Sequence, residues 1–575
     1  MKKTLFLILI SAITFSQTNT IQPFNSKEEG NAFRQWVNTN YPTYANEIKL
    51  GETGSFTNSY ILKAYKKYGQ EYNKAINPLP TINVVTIGNQ INKKIIKDHV
   101  AVLSSDEFEG REVGEPGEEK AAQYMSNYFS KIGISPYKDN TYYQEFKLIK
   151  RKFKNINMEV SGVQFENNKD FFSFPMFAPT ILKSNEFVFL GYGIETTNYN
   201  DYQQNIEGKI IIILQGEPKD ENGNYIISKG DKKSPKRSWR EKLKVAKKNK
   251  AKAVLFISEN FEEDYNIYKH RIEHEALNLL IKEDQIPFFY VNKKITQKIL
   301  GKNKEEKFKN KISKTKKSLN KTINKSISIA TKNSEKIITG KNVLAYIEGS
   351  DPELKEELIV ITAHYDHIGI IDGKIHNGAD DNASGTAGLL EVAAAFQLAK
   401  KMGLEFKRSI LCMPVSAEEK GLLGSYYYAE KPEFPLEKTI TNLNMDMVGR
   451  PDKNHQGNEN YIYLIGSDKL STDLHNISEY ANSKYVNMEL DYEYNEPGDP
   501  NRFYYRSDHY NFAKNKIPSI FYFSGLHEDY HKHTDTMEKL SYKKIETLTK
   551  LIFYTAWELS NAPNKPVVDK LNTFD

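Results

Sequence analysis

Four apolar runs in the C-terminal half of the chain each lead to an imidazole or a carboxylate. EELIVITA runs into His364, with Asp366 two residues on and Asp380 and Asp381 at the end of the turn-rich loop that follows. SILCMPVSA delivers Glu418 and Glu419, TITNLNM delivers Asp446, and IPSIFYFSG is followed within a few residues by His531. Any one of these is an ordinary set of loop polars, and Asp380 to Ser384 alone would read as a helix cap. Their repetition decides the matter. Seven of the twelve histidines fall in two short windows, 364–376 and 509–533, where an even spread would scatter them. Mixed imidazole and carboxylate sets suit zinc, which takes both at about 2.0–2.2 Å. A pair of ions about 3.5–4 Å apart needs one shared carboxylate and separate ligands on either side. The residues divide accordingly: Asp380 bridging, His364 and Asp446 on one ion, Glu419 and His531 on the other. Glu418 is then free to act as general base, and Asp366 to orient the His364 ring from behind.

Ligands so far apart in the chain must be gathered by a sheet. The runs 341–349, 356–367, 408–419, 439–450 and 517–525 read as strands, with helices expected over 385–401 and from Gly421 to Glu430 between them. Alternation of this kind predicts an α/β fold, a mainly parallel central sheet with helices on both faces. Ligands bind at the carboxyl ends of strands in such sheets, where these residues fall. Upstream, the spacing of Ile91, Ile95, Ile96, His99 and Leu103 predicts a helix. A second is expected from Glu118 to Ile132, stopped by Gly133. Arg111, in the glycine-rich loop between them, is read as an ion-pair partner rather than a substrate contact.

Residues 151–335 interrupt this pattern. Strands are expected at 187–190, 209–214, 253–257 and 288–291, giving a smaller β-rich α/β module without paired histidine or acidic ligands. Its Lys-rich tail, 301–326, reads as a solvated low-complexity segment. The catalytic domain is therefore expected in two pieces, 86–150 and 336–562, with residues 18–85 as an N-terminal extension.

With 575 residues the chain exceeds a single ordinary core. A net charge of +6 spread along its length argues against a nucleic-acid partner. Lys2 and Lys3 followed by an apolar run from Leu5 to Phe15 read as a signal peptide over residues 1–17. Export to the periplasm or medium is expected, with no membrane span in the mature chain. The one cysteine, Cys412, reads as a small core side chain.

HYDH, NGADDNASG, AEEKGLLGS, NMDMVGR and DYHKHTDT resemble the signature set of the bacterial aminopeptidase and glutamate-carboxypeptidase family, whose members hold two co-catalytic zinc ions. The resemblance covers roughly 90–150 and 335–560, and the insert resembles the protease-associated domain often placed within that family. It implies His364, Asp380, Glu419, Asp446 and His531 as ligands of two Zn2+ ions, Glu418 as base and Asp366 as the supporting acid. It also implies Tyr530 as oxyanion stabiliser and a cis peptide after Asp380. Between His531 and His533, the family spacing to Asp535 selects His531.

The expected function is an exported zinc exopeptidase, an aminopeptidase that cuts N-terminal residues from a peptide substrate through a metal-bridging hydroxide. A glutamate-releasing carboxypeptidase is the alternative, and would need cationic groups such as Arg506 or Arg502 for a terminal carboxylate. His509 is a further candidate for substrate contact. A non-catalytic receptor-like domain is disfavoured, because all five ligand positions are filled.

Overall fold

The computed structural model describes residues 24 to 570, apart from 25, 56, 58, 77–82, 229–233, 282–284 and 497. The expected leader lies outside the described residues. Two compact units are present, Met1–Asn83 and Val84–Asp575. In the first, the helices Lys27–Asn40 and Ser59–Ile76 bury Phe33, Val37, Ile61 and Ala64 in a small aromatic-rich core.

The second unit is built on a seven-stranded sheet. Its strands are β1 (Ala345–Ile347), β2 (Leu358–His364), β3 (Ser409–Val415), β4 (Thr439–Met445), β5 (Tyr461–Ile465), β6 (Glu489–Asp491) and β7 (Ser519–Phe523). They lie in the order β1-β3-β2-β4-β7-β5-β6. The strands β3, β2, β4 and β7 run parallel to one another, while β1 and β5 pair antiparallel with β3 and β7. β2, β3 and β4 are buried along their whole length, as a sheet covered on both faces requires.

Alternate residues sort to the two sides. Leu358 and Val360 of β2 pack with Leu411 and Met413 of β3 against Tyr428 and Phe512. Ile359 and Ile361 therefore face the other side, where the helix α3 (Gly385–Lys401) lies along β2 and β3. Two upstream helices, α1 (Lys93–Leu103) and α2 (Pro116–Ile132), pack on α3. α1 is capped by the Asn92 side chain, and α2 opens on a proline and stops at Gly133 in the left-handed region. The last helix, α5 (Tyr542–Asn561), packs on α3 as well, while α4 (Leu423–Glu430) supplies Tyr428 to the opposite face. Cys412 is buried in β3, as expected of a core side chain.

The insert carries its own six-stranded sheet. Phe187–Leu190, Ile210–Leu214, Ala253–Ile257 and Phe288–Val291 run parallel at its centre. Two long antiparallel strands, Tyr143–Val160 and Ile327–Val343, run through residues 150/151 and 335/336, so neither position is a break in an element. The Lys-rich tail departs from expectation. It forms the helix Lys304–Thr315 and the edge strand Asn320–Ile323, with Ile312 buried and Phe308 against Phe189. Apolar residues four apart were masked by the lysines around them. Among the described residues no helix is long and apolar enough to cross a membrane.

Candidate metal centre

The carboxyl ends of β2, β3 and β4 meet at one place, facing the loop before α3 and the segment after β7. His364 ends β2 and turns its Nε2 to 3.3 Å from both Asp381 Oδ1 and Asp446 Oδ1. Its Nδ1 lies 3.0 Å from the Asp366 carbonyl, which fixes the ring. On the other side His531 Nε2 lies 3.2 Å from Asp381 Oδ2 and 3.1 Å from Glu419 Oε2. Asp381 thus presents one oxygen to each half. Among the described residues two groups could hold an ion, His364–Asp381–Asp446 and His367–Asp381–Glu419. Within each group the donor atoms all lie within 4.8 Å of one another.

The expected bridging residue was Asp380, and here the structure corrects the sequence reading. The Asp380 carboxylate turns away: Oδ1 accepts the Gly449 amide at 2.6 Å and Oδ2 faces His527 Nε2 at 3.2 Å. The cis peptide likewise falls one residue later than expected, between Asp381 and Asn382. Adjacent acids project to different sides of the chain, and composition alone does not say which side is the centre. The loop is clamped from several directions. The Asp535 carboxylate accepts the amides of Asp380 and Asp381, and Asn382 Oδ1 accepts those of Gly385 and Met447. His527, which carried no role in the sequence, is buried as the partner of Asp380.

Asp366 also acts otherwise than expected. Its carboxylate is 3.9 Å from His364 Nδ1, beyond a hydrogen bond, and instead accepts the amides of Glu418 at 3.0 Å and Glu419 at 3.3 Å. It therefore sets the loop that carries both acids. Arg111 is fully buried and forms no ion pair in its own hydrogen bonds. Its guanidinium donates to the carbonyls of Leu103, Tyr365, Asn377 and Gly378, tying the loop after β2 to the end of α1. Asp446 is oriented by a relay: Thr362 Oγ1 donates to Asn444 Oδ1, Asn444 Nδ2 to Ser507 Oγ, and Ser507 Oγ to Asp446 Oδ2. Three of these four residues come from β2 and β4 or the turn just beyond.

Glu418 lies at the mouth with Oε2 4.0 Å from His364 Nε2. A pocket opens over the centre, lined by Glu418, Arg506, Tyr530 and an apolar wall that includes Met447, Phe503, Phe521, Phe523 and Leu526. Arg506 Nη2 is 3.4 Å from Tyr530 Oη. His509 does not reach this pocket. It is fully buried, stacks on Phe521, and is pulled down to about 3 by burial, so it is a neutral core ring rather than a substrate contact. His533 points to Lys374 instead, at 3.3 Å.

Electrostatics follow from so many acids in one buried place. Burial, opposed by His364 but reinforced by Glu419 and Asp446, holds Glu418 well above the usual carboxylate range. Burial works against charge on His531, yet the carboxylates of Asp381 and Glu419 push it up to about 10. Burial and Asp381 disfavour charge on Glu419, but the imidazoles of His367 and His531 bring it down to about 2. Burial, with Asp381 and Glu419 nearby, raises the Tyr530 phenol and keeps it a hydrogen-bond donor. A site that turns several acids and three imidazoles inward, and leaves Glu419 Oε1 and both His367 nitrogens without a hydrogen bond, has the donor set of a cation site.

A family model described as Peptidase family M28 matches residues 342–556. The chain is 29% identical over 219 residues to a probable leucine aminopeptidase of Arthroderma otae, covering 37% of this chain and 56% of that protein. It is also 29% identical over 142 residues to aminopeptidase YwaD of Bacillus subtilis, covering 23% of this chain and 29% of that one. Among solved structures, an aminopeptidase from Aneurinibacillus sp. strain AM-1 aligns over 85% of this chain and 98% of its own, with 19% identity and a TM-score of 0.48. The chain thus spans little more than half the length of the leucine aminopeptidase it matches.

Proposed function

With residues 342–556 belonging to Peptidase family M28, we propose that this protein is a zinc-dependent exopeptidase that removes N-terminal residues from peptides. The observation that carries the reading is the position of Asp381, one oxygen toward His364 and Asp446 and the other toward Glu419 and His531. Two zinc ions fit this arrangement, one held by His364, Asp381 and Asp446 and the other by Asp381, Glu419 and His531. When bound, such ions polarise a carbonyl and make a water molecule acidic enough to attack it near neutral pH.

The remaining steps belong to the chain itself. Glu418, set by the Asp366 carboxylate through its amide, takes a proton from the attacking water and returns it to the leaving amine. Tyr530 donates its phenolic hydrogen to the carbonyl oxygen as that oxygen gains charge. The wall of Met447, Phe503, Phe521, Phe523 and Leu526 offers an apolar N-terminal side chain a dry seat beside the centre. This agrees with the relatives named as leucine aminopeptidases, without fixing the preference by name alone.

One observation favours a second reading. Arg506 stands in the pocket wall beside Tyr530, where it could pair with a terminal carboxylate of a glutamate-releasing carboxypeptidase substrate. Arg502 instead lies over the Tyr505 ring. Export through the leader at residues 1–17 is part of the proposal, and the first residue of protein recovered from outside the cytoplasm tests it. Activity is tested with aminoacyl p-nitroanilides against N-acyl-glutamates, before and after chelation and zinc restoration. Cleavage of leucyl and phenylalanyl p-nitroanilides alone is expected. Cleavage of N-acyl-glutamates alone would overturn the aminopeptidase reading in favour of the second.

A further inference from the structure

His367 belongs to the second donor group but is not among the ligands assigned above, and it occupies the most protected position at the centre. Its ring is fully buried, whereas the side chain of His531 is 37% exposed. Its Nδ1 lies 2.8 Å from Glu419 Oε1 and 3.9 Å from Asp381 Oδ2. These are the same two carboxylates that His531 Nε2 faces from the solvent side. The two imidazoles stand edge to face, with ring centroids 5.7 Å apart, and each claims a different oxygen of Glu419.

The short approach to Glu419 is a close ion-pair contact that lacks the angles of a hydrogen bond. Neither nitrogen of His367 has a hydrogen-bond partner, and neither does Glu419 Oε1. Burying an imidazole with both nitrogens unmatched, 2.8 Å from an unmatched carboxylate oxygen, costs free energy that a simple packing role does not return. A cation set to one side of the pair and in contact with both atoms satisfies both. The seat is also shaped for the ring: a Cβ on Gly378 would stand 2.6 Å from the His367 ring, so only glycine leaves the ring its space. The backbone of His367 is held from the other side, its amide donating to the Arg111 carbonyl at 3.3 Å.

We propose that His367 is a further protein ligand of the ion on the Glu419 side, entering through Nδ1. That ion then has two imidazoles, one buried and one at the mouth, and two carboxylates, while the ion on the His364 side has one imidazole and two carboxylates. The two positions differ in donor number, so they differ in affinity. The buried imidazole keeps the Glu419-side ion in place if the exposed His531 swings out. The inference rests on the two-ion reading above, and the test separates the two.

The experiment titrates Co2+ into the chelated full-length protein by calorimetry and visible absorption, for the parent, His367→Asn and His367→Cys. The parent must take up two equivalents; uptake of one or none defeats the two-ion reading and this inference with it. If the parent binds two, His367→Asn is expected to retain one equivalent at parental affinity and to bind the other about 100-fold more weakly or worse. His367→Cys is expected to bind two and to gain a near-ultraviolet sulfur-to-cobalt charge-transfer band. A residue that merely positions Glu419 would give no such band. The one native cysteine, Cys412, is buried in β3 and contributes no background. Parental affinity for both equivalents in His367→Asn, or absence of the band in His367→Cys, overturns the proposal. If His367→Asn fails to unfold cooperatively in chelator, the cysteine variant alone decides.

Discussion

The chain contains two parallel sheets, and the carboxyl ends of their strands carry different residues. In the larger sheet β2, β3 and β4 lead into His364, Glu418–Glu419 and Asp446. In the insert the corresponding ends lead into Gly191–Tyr192, Gln215–Gly216, Ser258–Glu259 and Asn292. The central strands of both sheets are buried, and both sheets bury charge. The insert spends its buried charges on its own interior: Asp201 accepts the amides of Tyr192 and Ile194 and the Ser318 hydroxyl, and Lys242 donates to the Leu214 carbonyl at 2.8 Å. The larger sheet turns its charges toward one another across a gap. A parallel sheet therefore supplies an edge, and only the residue types placed there make a site of it.

The sharpest way to break the comparison is at the base. Glu418→Gln should lower kcat on leucyl p-nitroanilide by about 1,000-fold while two metal equivalents remain bound by elemental analysis. Retained turnover would remove Glu418 from its role. Next in size is the choice between neighbours. Asp381→Asn should weaken binding at both positions by more than about 100-fold, whereas Asp380→Asn, which keeps an oxygen for the Gly449 amide and loses the charge facing His527, should cost about tenfold. Isothermal titration with zinc reads both, and the reverse order would restore Asp380 as the bridging residue.

Chelation should abolish activity, zinc should restore it, and the metal-free protein should unfold at a lower temperature. A ligand present at about 1,000 times its Kd stabilises by roughly 4 kcal/mol. An unchanged transition in calorimetry would mean that the strand ends of the larger sheet bind ions no better than those of the insert.

The smallest effect is in the insert. Burial lowers the Lys242 amine from 10.5 to about 7. Between those values the unfolded chain binds more protons than the folded one, so stability rises with pH across the window and is lost as pH falls toward 7. Lys242→Met should flatten this slope in urea unfolding at pH 7.5 and 9.5 and leave kcat unchanged. A slope equal to the parent's would show that the buried amine is not the cause.

How much of this was legible depended on the kind of signal. The inner strands of both sheets were readable because they are mostly apolar or β-branched runs bounded by turns, and α3 because its alanine and leucine content begins and ends with glycine and lysine. The helix Lys304–Thr315 was missed because charge concealed Phe308 and Ile312. The strand β5 and the helix α5 also drew no expectation, though α5 closes one face of the larger sheet.

At the centre itself, the sequence determined which kinds of residue gather: imidazoles and acids at the ends of apolar runs are visible as a pattern in one dimension. It did not determine which of Asp380 and Asp381 faces inward, that Asp366 holds two amides rather than an imidazole, or that His367 and His527 are buried there. Those are matters of direction. Neighbouring side chains leave the backbone on different sides, and only the packed loop, with Asp535, Asn382 and Arg111 holding it from three sides, decides which of them points at the gap.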